Sequence, residues 1–192
     1  MDLDRIIERR GTDSYKWDDN ERLFGRRDLM PFWVADMDFE TPAPILDAIR
    51  DRCRHPVLGY GIRSEDYFQA VTDWFRNRHG WNVPTEWLTF CPPGSIVGIS
   101  GLVTKLTDPS TSIVVHTPAY GPLTALVRDN GRRLIECPLA ERNRRFVIDE
   151  SELVSRLRPD TRMMILCNPH NPTGRVFTAH ELGAIARIAE EH

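Results

Sequence analysis

From residue 87 onward, short apolar runs alternate with amphipathic stretches, and this alternation restricts the fold more than any other feature of the chain. Trp87–Cys91 is the first run, and Ser112–His116, Leu134–Cys137 and Arg162–Cys167 follow as strand candidates. Gly94–Thr107, Tyr120–Asn130, Asp149–Arg158 and Thr178–His192 carry helical spacing between and after them. The punctuation agrees. Gly131 suits the left-handed residue after a helix, Pro159 closes the next helix, and Thr178 with Glu181 forms a capping box. Nearly continuous apolar strands separated by helices predict an α/β fold, a mostly parallel sheet with flanking helices.

Residues 1–41 have weak periodicity and contain Gly11, Gly25 and Pro31, so they read as an irregular N-terminal arm with one short extended piece at 31–39. Thr41-Pro42 offers a cap and a first helical proline for a helix over 42–54. A second helix over 64–79 is capped by Ser64 and places Phe68, Val71, Trp74 and Phe75 on one face. The division is therefore an arm over 1–41 and a larger domain over 42–192. The alternation stops on a helix with no strand after it, which reads as a truncated sheet or one completed by something else.

Twenty-five basic against 28 acidic residues leave a net charge of −3, with no electrostatic footprint for nucleic acid. No apolar run reaches the roughly 18 residues of a membrane span, and the charged start has no apolar signal core, so a cytoplasmic location is expected. Cys53, Cys91, Cys137 and Cys167 form no C-x-x-C pair, and the last three end apolar runs as buried strand residues would. Lysine occurs only at 16 and 105.

In open parallel sheets, ligands bind beyond the carboxyl ends of the strands, so the loops after Cys91, His116 and Cys167 are the candidate sites. In Cys91-Pro92-Pro93-Gly94-Ser95-Ile96 a sharp turn enters a helix whose free N–H groups suit a phosphate; a plain capped turn is the alternative. It is neither a P-loop nor G-x-G-x-x-G. Tyr120, at the entry of the next helix, is placed to lie on a planar ligand or simply to pack. Asn168-Pro169-His170-Asn171-Pro172-Thr173-Gly174 is the most specific string in the chain. Each proline holds the asparagine before it extended, for a ligand or for a structural turn. His116 and His170 read as loop neighbours, and Arg142, Arg144 and Arg145 as a solvated loop.

Asn168–Gly174 resembles the N-P-x-N-P-T-G loop of fold-type I pyridoxal-phosphate enzymes, the class I/II aminotransferase superfamily. Arg10-Gly11-Thr12, Lys16-Trp17-Asp18, Val34–Phe39, Gly59-Tyr60 and His116–Tyr120 further resemble MalY/PatB-type cystathionine β-lyases. The resemblance implies a partial large domain of that fold with pyridoxal 5'-phosphate as cofactor. Ser95 and Ile96 would bind its phosphate with Gly94 permitting the approach, Tyr120 would stack on the ring, and Asn171 would bond its 3′-oxygen. Tyr60 would reach the phosphate in a neighbouring subunit, implying a homodimer, and Ala35 would lie near the substrate carboxylate.

The implied reaction is carbon–sulfur β-elimination from a small sulfur-containing amino acid, giving pyruvate, ammonia and a thiol. Transamination shares its early steps and is the alternative activity. The family's Schiff-base lysine and pyridine-nitrogen aspartate follow the N-P-x-N-P-T-G loop, so no catalytic residue is expected within the 192 residues. Lys16 sits in the arm, and Lys105 lies ten residues into a helix, about 15 Å from its start at about 1.5 Å per residue. The chain then reads as a truncated enzyme, inactive alone, or as a non-catalytic dimerising or regulatory remnant. No metal site is expected.

Overall fold

A computed structural model describes residues 2–192, which divide into two units, one ending at Trp81 and one beginning at Asn82. Among its described residues the first unit holds four helices: α1 Tyr15–Asp18, α2 Asn20–Phe24, α3 Ala43–Arg54 and α4 Glu65–His79. The arm thus contains two short helices that its weak periodicity did not reveal. Polar capping forms them. The Ser14 side chain caps α1, and Gly25 ends α2 at φ 72°.

Expectation and structure differ slightly at the longer helices. The cap of α3 is Pro42, with extended backbone at ψ 135°, so the helix begins at Ala43 without a side-chain cap. Ser64 precedes α4, but its hydroxyl makes no capping bond; its carbonyl accepts Tyr67 N at 3.1 Å. Trp74 of the expected apolar face is exposed, as are Ile45 and Ile49 of α3.

The second unit is built on a three-stranded parallel sheet of order β2-β1-β5, with β1 Ser112–Thr117, β2 Arg133–Pro138 and β5 Thr161–Ile165. Around it lie α5 Ser95–Leu106, α6 Gly121–Asp129, α7 Glu150–Arg156 and α8 Ala179–Glu191. The apolar run of β1 exists because both its faces are covered. Ile113 and Val115 pack with Val103 of α5 and with Leu123, Leu126 and Val127 of α6. Val114, on the opposite face, packs with Ile135 and Cys137 of β2, Leu153 of α7 and Ile188 of α8.

Two local readings need correction. Trp87–Cys91 forms no strand: a single 3-10 turn occupies Thr85–Trp87 and an irregular segment follows. Cys91 is consequently exposed, and Cys167 lies half-buried just beyond β5, so only Cys137 is a buried strand residue. Arg142, Arg144 and Arg145 are solvated, but in a hairpin, not a loop. Strands β3 Ala140–Arg142 and β4 Arg145–Val147 pair antiparallel across Asn143 and Arg144, both at positive φ. That two-residue turn is the primed type a hairpin favours, and without a glycine its sequence gave no signal. Among the described residues no helix is long and apolar enough to cross a membrane, and no cluster of side chains could hold a metal.

Candidate functional site

The carboxyl ends of β1 and β5 lead into a shallow cleft lined by His116, Ala119, Tyr120, Cys167, His170 and Asn171. Tyr120 and Asn171, 51 positions apart in sequence, are thereby brought together. Tyr120 is the residue before α6, half exposed on an extended backbone. Asn171 owes its place to the pinned loop around it. His170 N donates to the Arg175 carbonyl and Gly174 N to the His170 carbonyl, both at 2.7 Å. Asn168 serves that loop internally: its Oδ1 accepts Phe177 N at 3.0 Å. The two Asn-Pro pairs therefore divide their work, one anchoring and one facing the cleft.

Ser95 and Gly94 are exposed at the start of α5 and do not line this cleft. Ile96, however, packs on the same apolar cluster as Ala119 and Cys167, which ties the first turn of α5 to the loops after β1 and β5. The first intrahelical bond runs from Gly98 N to the Gly94 carbonyl at 3.2 Å, and no side chain caps the helix. The amides of Ser95, Ile96 and Val97 so lack intrahelical partners and, with the helix dipole, suit an anion. Gly94 sits at φ 151°, ψ −177°, a region open in practice only to glycine. A Cβ there would meet nothing within 4 Å, so the requirement is torsional.

His116 forms the floor of the cleft. It is 3% exposed, and its Nδ1 lies 3.2 Å from the Cys137 carbonyl on β2. Nδ1 therefore carries the proton, and Nε2 presents a lone pair that is buried without a partner among the described residues. Burial holds the imidazole below its ordinary value of 6.5 against the pull of the Cys137 carbonyl, and nearby His170 adds to the depression. Burial lowers His170 as well. A histidine depressed by folding takes its proton first in the unfolded chain, so stability should fall as pH drops below about 6.5. Each such group contributes at most about 1.4 kcal/mol per pH unit in that window. His116→Asn keeps an N–H for the Cys137 carbonyl but cannot titrate, and it should flatten the fall in urea midpoint between pH 7.5 and 5.5. An unchanged slope would refute this.

In the first unit, the arm motifs explain one another. Asp18 accepts from the amides of Gly11 at 2.8 Å, Thr12 at 3.1 Å and Ser14 at 2.8 Å. Lys16 Nζ donates to Asp38 Oδ2 at 2.7 Å and to the Asp36 carbonyl at 2.9 Å. Trp17 Nε1 and Arg9 reach Asp38 Oδ1 at 2.8 and 2.7 Å, and Arg9 also reaches Asp36 at 2.6 Å. Ala35, exposed, adjoins this network in sequence, and Tyr60 is fully exposed. Lys105 is exposed in the last turn of α5.

The sequence profile of aminotransferase class I and II matches residues 27–192. The chain belongs to that family. It is similar to cystathionine beta-lyase PatB of Bacillus subtilis (40% identity over all of this chain and 50% of PatB) and to protein MalY of Escherichia coli (31%, likewise all of this chain and 50% of MalY). Among solved structures it resembles the PLP-bound C-S lyase of Staphylococcus hominis, with a TM-score of 0.90 at 32% identity, over 100% of this chain and 49% of that one. The chain thus spans about half the length of the relatives it matches. The α/β architecture expected from the alternation is the architecture of this class I/II half-chain, and the MalY/PatB likeness extends over the whole of it.

Proposed function

We propose that the chain belongs to a pyridoxal-phosphate-dependent carbon–sulfur lyase acting on a small sulfur-containing amino acid, with pyruvate, ammonia and a thiol as products. The observation that carries this reading is the cleft at the strand ends whose lining includes both Tyr120 and Asn171. The names of its relatives, a cystathionine beta-lyase and a C-S lyase, supply the reaction class.

The residues present fit the cofactor. Free amides and a glycine-only turn suit its phosphate, an aromatic face suits its ring, and a rigid side-chain amide suits its phenolate-like oxygen. Gly94, Ser95 and Ile96 would hold the phosphate, Tyr120 would cover the ring, and the Asn171 amide would donate to the 3′-oxygen. The buried lone pair of His116 keeps the floor neutral and ready to accept from an N–H or O–H above it. When bound, the cofactor supplies an electron sink for the carbanion formed at the substrate Cα.

Ala35 is assigned to the substrate carboxylate, and Tyr60 to the phosphate bound by a second copy of the chain. Exposed Val57, Leu58, Tyr60 and Ile62, in one stretch, support a surface that such a copy covers. The lysine that holds the cofactor covalently is in this reading neither Lys16, engaged by Asp36 and Asp38, nor Lys105, at the far end of α5. Transamination is the second reading. Its support is the family itself and a 30% likeness to a Mycobacterium tuberculosis protein named "Probable N-succinyldiaminopimelate aminotransferase DapC".

Titrating the chain with pyridoxal phosphate tests the site. Saturable binding is expected, with borohydride fixing no cofactor to the chain. Asn171→Ala should weaken binding about tenfold, the factor that one hydrogen bond to a charged group is worth. No saturable binding, or binding indifferent to Asn171, would overturn the assignment. Pyruvate release against keto-acid exchange, measured on a chain as long as PatB, separates lyase from aminotransferase.

A further inference from the structure

Arg175 follows the Asn168–Gly174 loop directly and joins it to two other elements. Its Nε donates to the Phe146 carbonyl of β4 at 3.0 Å. Its Nη2 lies 2.6 and 2.8 Å from the two carboxylate oxygens of Glu181, and both side chains are only 18% exposed. Glu181 is the capping-box residue of α8 and accepts Thr178 N at 2.7 Å. The Arg175 guanidinium also sits 5.5 Å over the Phe177 ring, whose backbone N–H anchors Asn168. Finally, the Arg175 backbone pairs with His170, the residue before Asn171, as an isolated antiparallel bridge.

From this geometry we propose that Arg175 is the positioning residue for Asn171. It clamps the loop between the β3–β4 hairpin and the start of α8, so that the Asn171 amide is aimed before any ligand arrives. The inference rests on the reading that Asn171 holds the cofactor. The residue type follows from the task. A guanidinium has donors in a fixed planar fork, so one group meets the Phe146 carbonyl while another meets the Glu181 carboxylate. A lysine ammonium is a single point on a flexible stem and does not span both.

The test uses the chain with pyridoxal phosphate as the probe, in wild type, Arg175→Lys, Glu181→Gln, Asn171→Ala and the double variant Arg175→Lys/Asn171→Ala. Amide exchange in β1 reports whether each variant is folded, and exchange at Gly174 reports the loop. In Arg175→Lys we expect unchanged β1 exchange, faster exchange at Gly174 and binding weakened about tenfold. Because Arg175 acts through Asn171, the double variant should bind no worse than Asn171→Ala alone. Glu181→Gln should shift both readouts in the same direction, and it carries the test if Arg175→Lys does not fold. Binding by Arg175→Lys within about twofold of wild type, or losses that add in the double variant, would overturn the proposal. If Asn171→Ala itself leaves binding intact, the cofactor reading has failed and the proposal falls with it. A weakened Asn171→Ala beside an unaffected Arg175→Lys sinks the proposal alone.

Discussion

Leu153→Ala should destabilise the second unit by about 3 kcal/mol, within the usual range for emptying a buried leucine site. Leu153 is fully buried, and α7 holds no other buried residue. Its neighbours in the cluster are Val114, Ile135, Cys137 and Ile188, drawn from two strands and another helix. None of these can move into the gap without shifting a hydrogen-bonded strand or α8, so relaxation is left to the partly buried Leu157 and Met164 at the cluster's edge and the cavity closes only in part. The cap of α7, Asp149 Oδ1 accepting Glu152 N at 3.1 Å, remains and cannot compensate. The urea midpoint should fall by about 1.5 M at a slope near 2 kcal/mol/M. Val154→Ala, one position on and 38% exposed, is the control and should cost about 0.5 kcal/mol or less. A loss for Leu153→Ala no larger than that of the control would show that the core closes over the missing side chain.

Lys16→Met should destabilise the first unit by about 2 kcal/mol, as charge-assisted bonds are removed from a buried position. Lys16 is 8% exposed and ties α1 to residues 36–38. Its loss leaves Asp36 and Asp38 sharing Arg9 alone among the cations of the network. Tryptophan fluorescence will follow the change, since Trp17 bonds Asp38 directly. Acid adds a second readout. The Lys16 ammonium, the Trp17 indole and the Arg9 guanidinium hold the Asp38 carboxyl far below the usual carboxylate range. That depression stabilises the fold fully above the unfolded value of about 3.9 and is lost as pH falls below it. In Lys16→Met the folded Asp38 carboxyl is less depressed, so the loss below about 3.9 should be smaller and end at higher pH; an unaltered acid profile would mean that Lys16 does not govern Asp38.

The second unit was legible wherever one residue type dictates one local geometry. Thr178 with Glu181 starts α8 as a capping box, and Gly131 takes φ 74° beyond α6. Reading failed where a partner, not a propensity, decides. Trp87–Cys91 is apolar enough for a strand yet runs as a 3-10 turn and irregular chain. The Asn143-Arg144 turn forms because β3 and β4 pair, and no glycine advertised it. In the candidate site, Tyr120 and Asn171 stood out by position and by proline neighbours. His116 and Arg175 did not, because their importance lies in contacts across 21 and 29 positions that no spacing announces. The scarcity of lysine was visible; that Lys16 is engaged by two aspartates some twenty residues away was not.

The burial of β1 on both faces has one more consequence. Ser112 to His116 are all shielded, so the base of the cleft belongs to the segment whose opening requires the sheet itself to come apart. Its rim, by contrast, carries the exposed Tyr120 side chain, whose replacement leaves the sheet untouched. Sequence change at such exposed positions therefore need not loosen the sheet, and the floor of the cleft should stay the slowest part of the domain to unravel.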